Sequence, residues 1–325
     1  MKLRQLQCLL EVCNQDLNIS SASRALETTQ PAVSKQIQSL EADLGVKLFS
    51  RQGKRLTSLT PPGEIIVIRA REIVAQTKAI ENIAREARNE AVGSLNIATT
   101  HTQARYVLPK PIRQFRQRFP EVSLHVNQGT PAYLAELTSS GQVDFAIATE
   151  GLEYFEDLIM VPCYHWNRSI IVPKNHRFAH AGGMLSIEEL AREPLVTYVF
   201  GFASESRIAA AFANAGVEPN VVFTATDTDV IKTYVREGLG IGIIASMAYD
   251  ESEDPDLHAI DASHLFEPST THIGFRKGVY LRTFMLHFIQ LFSPNLTGEL
   301  ITEVLSAPTV NERTRLIGGH PVPNR

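Results

Sequence analysis

The stretch Ala25–Arg51, ALETTQPAVSKQIQSLEADLGVKLFSR, decides the reading of the chain. Thr29 is placed to cap a helix, and Pro31 falls in its first turn, where a missing N–H costs nothing. Val33, Ile37, Leu40 and Leu44 then recur at helical spacing and form an inward apolar stripe. Gln30, Ser34, Lys35 and Gln38 take the opposite side, with donors and acceptors suited to phosphates and base edges in a major groove. Upstream, SSASRAL (Ser20–Leu26) predicts a short helix whose Ala22, Ala25 and Leu26 pack closely, and Glu27-Thr28-Thr29 predicts the turn between the two. Downstream, Leu48-Phe49 anchors a segment carrying Arg51, Lys54 and Arg55 around Gly53, the composition of a hairpin wing with phosphate-binding cations. Periodicity alone leaves open a helix pair with a merely solvated outer face.

The same run resembles the signature of the LysR-type transcriptional regulators. That resemblance implies a winged helix-turn-helix with Thr29, Gln30, Pro31, Ser34 and Lys35 at the DNA interface and Arg51, Lys54 and Arg55 in the wing. Thr29 stands where many members carry serine, a change that keeps the capping hydroxyl.

Pro61-Pro62-Gly63 opens a long helical stretch in which Ile66, Ala70, Ile73, Thr77, Ile80, Ala84 and Ala87 alternate steps of four and three, the seam of a coiled coil. A lone helix docked on its own domain fits the same spacing, while the family resemblance implies a dimerising linker. Two-fold pairing suits DNA, because recognition helices about 34 Å apart read one face of a duplex.

Beyond Glu90–Gly93 the chain alternates short strands with helices. Strands are expected at Leu95–Ala98, Val122–Val126, Asp144–Ala148, Ser169–Val172, Leu195–Tyr198, Val221–Thr224, Ile241–Ala245 and Ile273–Phe275. This is a parallel-rich α/β pattern, and its length suggests two subdomains. The resemblance implies a two-lobed, periplasmic-binding-protein-like effector domain with a ligand cleft between the lobes. The expected organisation is a DNA-binding domain over 1–60, a linker helix over 61–92, an effector domain over 93–306 and a flexible tail over 307–325. Within the effector domain, subdomain I covers about 93–163 and 268–306, and subdomain II about 164–267.

Open α/β sheets bind ligands at strand ends. Thr99-Thr100-His101-Thr102-Gln103 follows the strand LNIA directly, and hydroxyls beside the free N–H groups of a helix start make a site for sulfate, phosphate or carboxylate. Thr149 ends DFAIAT in the same way, whereas Thr226-Asp227-Thr228 reads as a structural cap. TTHTQARYVLP, DFAIATE, CYHWNR and VFTATDTDVIKTYVREGLGIGIIASMA resemble the CysB/Cbl-like subgroup of the family, which is tied to sulfur and cysteine metabolism. That resemblance implies that Thr100, Thr102, Gln103 and Thr149 line a pocket for a small anionic sulfur-pathway metabolite such as sulfate or an acylated serine. It also places Tyr164 and the single tryptophan, Trp166, nearby. Where the subgroup carries a further pocket threonine, this chain has Ala203 followed by Ser204, so a hydroxyl contact is lost or displaced and ligand preference is expected to shift.

The composition agrees. With 325 residues, 44% hydrophobic and 20% charged, the chain is long enough for two or three packed domains. Its net charge is −4, yet residues 1–58 hold eight Lys/Arg against five Asp/Glu, leaving +3 there and −7 elsewhere. That division fits nucleic-acid contact at one end. No apolar run reaches the ~20 residues of a membrane span, no secretion signal is read, and three scattered cysteines suit a reducing cytoplasm. There is no phosphate-binding glycine loop, zinc-protease helix, paired-cysteine knuckle or nucleophile elbow, so no enzyme, cofactor or metal is expected. The expected partners are double-stranded DNA, the anionic metabolite and further copies of the chain, as a dimer of dimers. The alternative is a small-molecule binding protein or enzyme whose N-terminal helices only mediate association.

Overall fold

The computed structural model describes residues 1–325 except 54, 89–90, 150, 181–183 and 200–206. The chain divides into two compact units, Met1–Asn89 and Glu90–Arg325.

The first unit runs α1 (Leu3–Asn14), α2 (Ile19–Ala25), α3 (Gln30–Leu44), β1 (Phe49–Gln52), β2 (Arg55–Leu59) and α4 (Pro61–Ala87). Helix α3 begins where expected: the Thr29 hydroxyl accepts the Ala32 N–H at 3.4 Å, and Gly45 ends the helix at φ +70°. Val33, Ile37 and Leu40 are buried with Leu9, Leu48 and Phe49 in one core, and β1 and β2 form the antiparallel wing. Helix α1 was not read from the sequence, although Leu6, Leu9 and Leu10 supply its buried face. The expected seam of α4 is divided. Ala70 and the neighbouring Val67 pack into the unit's own core, while Ile65, Ile68, Ile73, Ile80 and Ile83 remain exposed.

The second unit runs β3 (Gly93–Thr99), α5 (Pro109–Arg118), β4 (Val122–Gln128), α6 (Pro131–Ser139), β5 (Phe145–Ala148), β6 (Ile159–Trp166), β7 (Arg168–Pro173), α7 (Ile187–Ala191) and β8 (Leu195–Tyr198). It continues with α8 (Arg207–Asn214), β9 (Val221–Ala225), α9 (Thr228–Arg236), β10 (Ile241–Ala245), β11 (Leu257–Asp261), β12 (Ser269–Phe275), α10 (Thr283–Phe292), α11 (Gly298–Ser306) and α12 (Val310–Gly318). Among the described residues these strands form two five-stranded sheets, ordered β4-β3-β5-β12-β6 and β11-β7-β10-β8-β9. In each, three adjacent strands are parallel, and β12 or β7 runs against its neighbours. The chain crosses between sheets at Asn167 and again between Asp261 and Ser269.

Two expectations need correction here. Tyr164 and Trp166 belong to β6 at the edge of the first sheet, so the lobes part at Asn167 and not before Tyr164. Residues 307–325 are not a tail without packing: Thr309 caps α12 at Glu312 N–H, and Leu316 and Ile317 pack against the first lobe's core. Polar NERTR conceals that half-buried pair, whose helix packs on the neighbouring α11.

Candidate DNA-reading face and effector cleft

On the first unit, Thr29, Gln30, Pro31, Lys35 and Gln38 lie exposed along α3, and Ser34 is half-buried. The Gln30 amide donates to the Ser20 hydroxyl, which ties α3 to α2. Arg55 is exposed on β2, and Lys54 lies outside the described residues. Arg51 is partly committed within the fold. Its guanidinium lies 3.1 Å from the carboxylate of Glu41, whose side chain is 2% exposed and also accepts the N–H groups of Leu48 (3.0 Å) and Phe49 (3.4 Å). Burial alone would raise the Glu41 pKa. The Leu48 N–H, the Arg51 charge, the Phe49 N–H and the Lys47 ammonium outweigh it and hold the carboxyl below its usual range. The carboxylate therefore fastens the wing to the end of α3, a role that sequence reading missed because two of its four donors are backbone groups.

In the second unit a cavity of about 290 Å³ is lined by Thr100–Gln103, Gln128–Pro131, Thr149, Trp166, Tyr198, Thr226, Asp227 and Ala245. Its walls have one topological origin. Thr100, Gln128, Thr149, Tyr198, Thr226 and Ala245 lie at or just beyond the carboxyl ends of β3, β4, β5, β8, β9 and β10, the parallel strands of both sheets. This is where open α/β sheets leave backbone N–H groups and helix starts facing a crevice. Helix α6 starts there with Thr130 as its cap and α9 with Asp227 as its cap.

Among the described residues that line the cavity none is a lysine or arginine. Donors come from threonine hydroxyls and from Trp166, whose indole N–H is buried without a partner among the described residues. A buried donor left unsatisfied is costly, so Trp166 Nε1 is poised for an acceptor. Thr102 bridges the lobes: its hydroxyl is 3.3 Å from that of Thr228, which is 2.7 Å from the Tyr198 hydroxyl. The Tyr198 hydroxyl in turn accepts the Ala245 N–H at 3.2 Å. Gln103 is engaged at both ends, accepting from the Tyr164 hydroxyl at 2.6 Å and donating to Thr271 at 3.3 Å, and Thr271 lies 3.1 Å from Thr149. Tyr164 does not line the cavity; it stands behind Gln103. Burial pushes its hydroxyl up to about 12, which keeps the proton available for donation.

A second polar seam crosses between the lobes beside the cavity. His101 Nε2 lies 2.9 Å from an oxygen of Asp227, the Tyr106 hydroxyl donates to Asp229 at 2.6 Å, and Arg105 lies 3.4 Å from Asp229. Burial and then the Asp229 carboxylate hold the Tyr106 hydroxyl well above its usual range. Arg105 and Tyr106 sit on a π-helical turn, Gln103–Val107, that interrupts the helix leading into α5. His101, Asp227 and Asp229 place their ligand atoms within 4.8 Å of one another. Asp227 is committed to capping α9 and Asp229 to Tyr106 and Arg105, so the group reads as an ion-pair seam.

Five of the expected effector residues, Thr100, Thr102, Gln103, Thr149 and Trp166, thus meet in one cavity. Ser204, like Ala203, lies outside the described residues. Tyr198 and Gln128 were missed, although each ends or follows a strand that the sequence made legible, and Thr226 was read only as part of a structural cap. Asp227 was read as a structural cap; it is one, and it also faces the cavity.

A winged helix-turn-helix unit together with a two-lobed α/β unit whose cleft is lined by threonine hydroxyls defines a DNA-binding regulator that responds to a small molecule. Residues 3–64 match a family model described as "Bacterial regulatory helix-turn-helix protein, lysR family", and residues 88–296 match one described as "LysR substrate binding domain". The chain is 47% identical over 319 residues to "HTH-type transcriptional regulator CysB" of Haemophilus influenzae, covering 98% of each. It is 43% identical to "HTH-type transcriptional regulator SsuR" of Burkholderia cenocepacia, over 94% of this chain and 99% of the relative. Among solved structures, the cofactor-binding domain of the Cbl transcriptional regulator is similar at 40% identity with a TM-score of 0.62, covering 66% of this chain and 95% of that one. The chain belongs to the LysR family of helix-turn-helix transcriptional regulators, and these relatives are regulators, not enzymes. No described helix is long and apolar enough to cross a membrane.

Proposed function

We propose that the chain is a cytoplasmic regulator of genes for sulfur assimilation, cysteine biosynthesis or sulfonate utilisation, acting on double-stranded DNA in response to a small anionic effector such as sulfate or an acetylserine. The observation that carries the effector reading is the cleft at the strand ends: among the described residues, hydroxyl donors, an indole N–H without a partner and two helix starts converge there without a lysine or arginine in the lining. Such a site holds an anion by hydrogen bonds and helix dipoles rather than by a salt bridge. Thr100, Thr102, Thr149 and Trp166 contact the effector, while Gln103 and Tyr164 hold the wall behind it. Thr29, Gln30, Pro31, Ser34, Lys35 and Gln38 face the DNA, with Lys54 and Arg55 on phosphates and Arg51 shared between phosphate and Glu41. Exposed isoleucines on α4 support pairing with a second copy, and a dimer of dimers is the assembly proposed. The relatives named CysB, SsuR and Cbl support the choice of sulfur metabolites.

Calorimetric titration of the full chain with sulfate, thiosulfate, O-acetylserine, N-acetylserine and adenosine phosphosulfate tests this reading. Saturable binding of at least one of them is expected. A folded chain that takes up none removes the sulfur-metabolite assignment and leaves the family membership standing.

A further inference from the structure

Residues 323–325 attach to the free edge of β6. The His165 N–H donates to the Pro323 carbonyl at 2.8 Å, and the Arg325 N–H donates to the His165 carbonyl at 2.9 Å, pairing Asn324 with His165 in a parallel bridge. This attachment falls between the two β6 residues that serve the cleft. Tyr164 and Trp166 share the inward face of the strand and are 3% and 6% exposed, while the His165 backbone between them is what the segment grips. The Arg325 guanidinium lies 4.9 Å from the centroid of the Tyr164 ring. From that ring the chain of hydrogen bonds already described runs through Gln103 and Thr271 to Thr149 at the cavity wall.

Strand β6 needs such support. It is an edge strand, it contains Pro162, and its pairing with β12 slips in register between Thr271 and His272, next to the proline. Without residues 323–325 the amide and carbonyl of His165 would have no strand partner on that side among the described residues. The segment is anchored upstream by α12, whose Leu316 and Ile317 pack on the first lobe's core.

We propose that residues 320–325 form a strap that positions Tyr164 and Trp166 for effector binding, with Arg325 as a positioning residue acting through the Tyr164 ring on the Gln103 amide. The proposal rests on the reading of the cleft as an effector site. The strap holds the wall; it does not touch the effector. Loosening it frees the Tyr164 hydroxyl from Gln103 and lets Trp166, the single tryptophan of the chain, withdraw from the cavity.

The test uses the full chain, a chain ending at Gly319, and the substitutions Arg325→Ala, Arg325→Lys and Tyr164→Phe, with Trp166 fluorescence and amide exchange at His165 as readouts that need no ligand. Ending the chain at Gly319 is expected to increase iodide quenching of Trp166 and to speed exchange of the His165 amide. Arg325→Ala is expected to weaken uptake of sulfate or O-acetylserine about fivefold, with Arg325→Lys recovering part of the loss. In a Tyr164→Phe background Arg325→Ala should have little further effect, because the route from Arg325 to Gln103 is already cut. Unchanged quenching and exchange after truncation overturn the strap. Equal effects of Arg325→Ala in both backgrounds overturn its action through Tyr164. An unaltered chain that takes up none of the five titrated metabolites contradicts the sulfur-metabolite reading instead, and the two ligand-free readouts then decide the strap.

Discussion

The DNA-reading face and the effector cleft are built in opposite ways. The first is drawn almost entirely from ten consecutive residues, Thr29 to Gln38, on and just before one helix whose cap, proline and apolar stripe are all local. The second is assembled from strand ends spread between Thr100 and Ala245, and its members are held by partners far away in sequence, 168 residues in the case of Gln103 and Thr271. A local face is specified by periodicity, and most of its side chains are exposed, with Gln30 tied to Ser20 and Thr29 used as the helix cap. A convergent one is specified by topology, and its side chains are largely spent on one another.

The difference predicts how each region breaks. The largest effect is expected from Glu41→Ala, which leaves the N–H groups of Leu48 and Phe49 buried without an acceptor and Arg51 without its partner. A loss of about 3 kcal/mol in the stability of the first unit is expected, read by chemical denaturation of the full chain. Because the folded Glu41 carboxyl titrates below its unfolded value, its contribution is complete above the unfolded pKa and is lost as pH falls through the folded one. Glu41→Gln should therefore flatten the acid limb of that unit's stability, which pH-dependent melting would reveal. In the cleft, Thr102→Ala removes one hydroxyl donor, and effector affinity measured by calorimetry is expected to fall by about 1.5–3 kcal/mol, with the fold intact. Lys35→Ala should weaken DNA binding and make the dependence of log K on log salt shallower by about 0.9 per recognition helix, measured by anisotropy across a salt series. The smallest effect is that of Thr29→Ala, about 1 kcal/mol from the lost α3 cap, visible as a lowered melting temperature.

What was legible in the sequence follows the same division. The start and stripe of α3, the wing around Gly53, and the strands of both parallel cores could be read because each carries its own signal within a few residues. Strand β6 was not recognised as one, since Pro162 argues against a strand; the sheet tolerates it there because β6 lies at an edge. Glycines mark the end of α9 and the entry to β10: Gly238 takes a φ of +78°, and Gly240 lies against the Pro194 carbonyl. Tyr198 carried no local mark, since only the pairing of β8 with β10 brings its hydroxyl to the Ala245 N–H and into the cleft. Packing of residues 307–325 was hidden because α12 is polar and packs mainly on the neighbouring α11, while residues 323–325 attach to His165 on β6, more than a hundred residues away.

The most direct test of the account is to measure both binding activities on the same two variants. DNA affinity is measured with a duplex enriched from random sequence by the unaltered chain, and effector uptake by calorimetry, for Lys35→Ala and for Thr102→Ala. The account predicts a crossed result: Lys35→Ala loses DNA affinity and keeps effector uptake, while Thr102→Ala loses effector uptake and keeps DNA binding in the absence of effector. Loss of effector uptake in Lys35→Ala, or unimpaired DNA binding by that variant at every salt concentration, would contradict it.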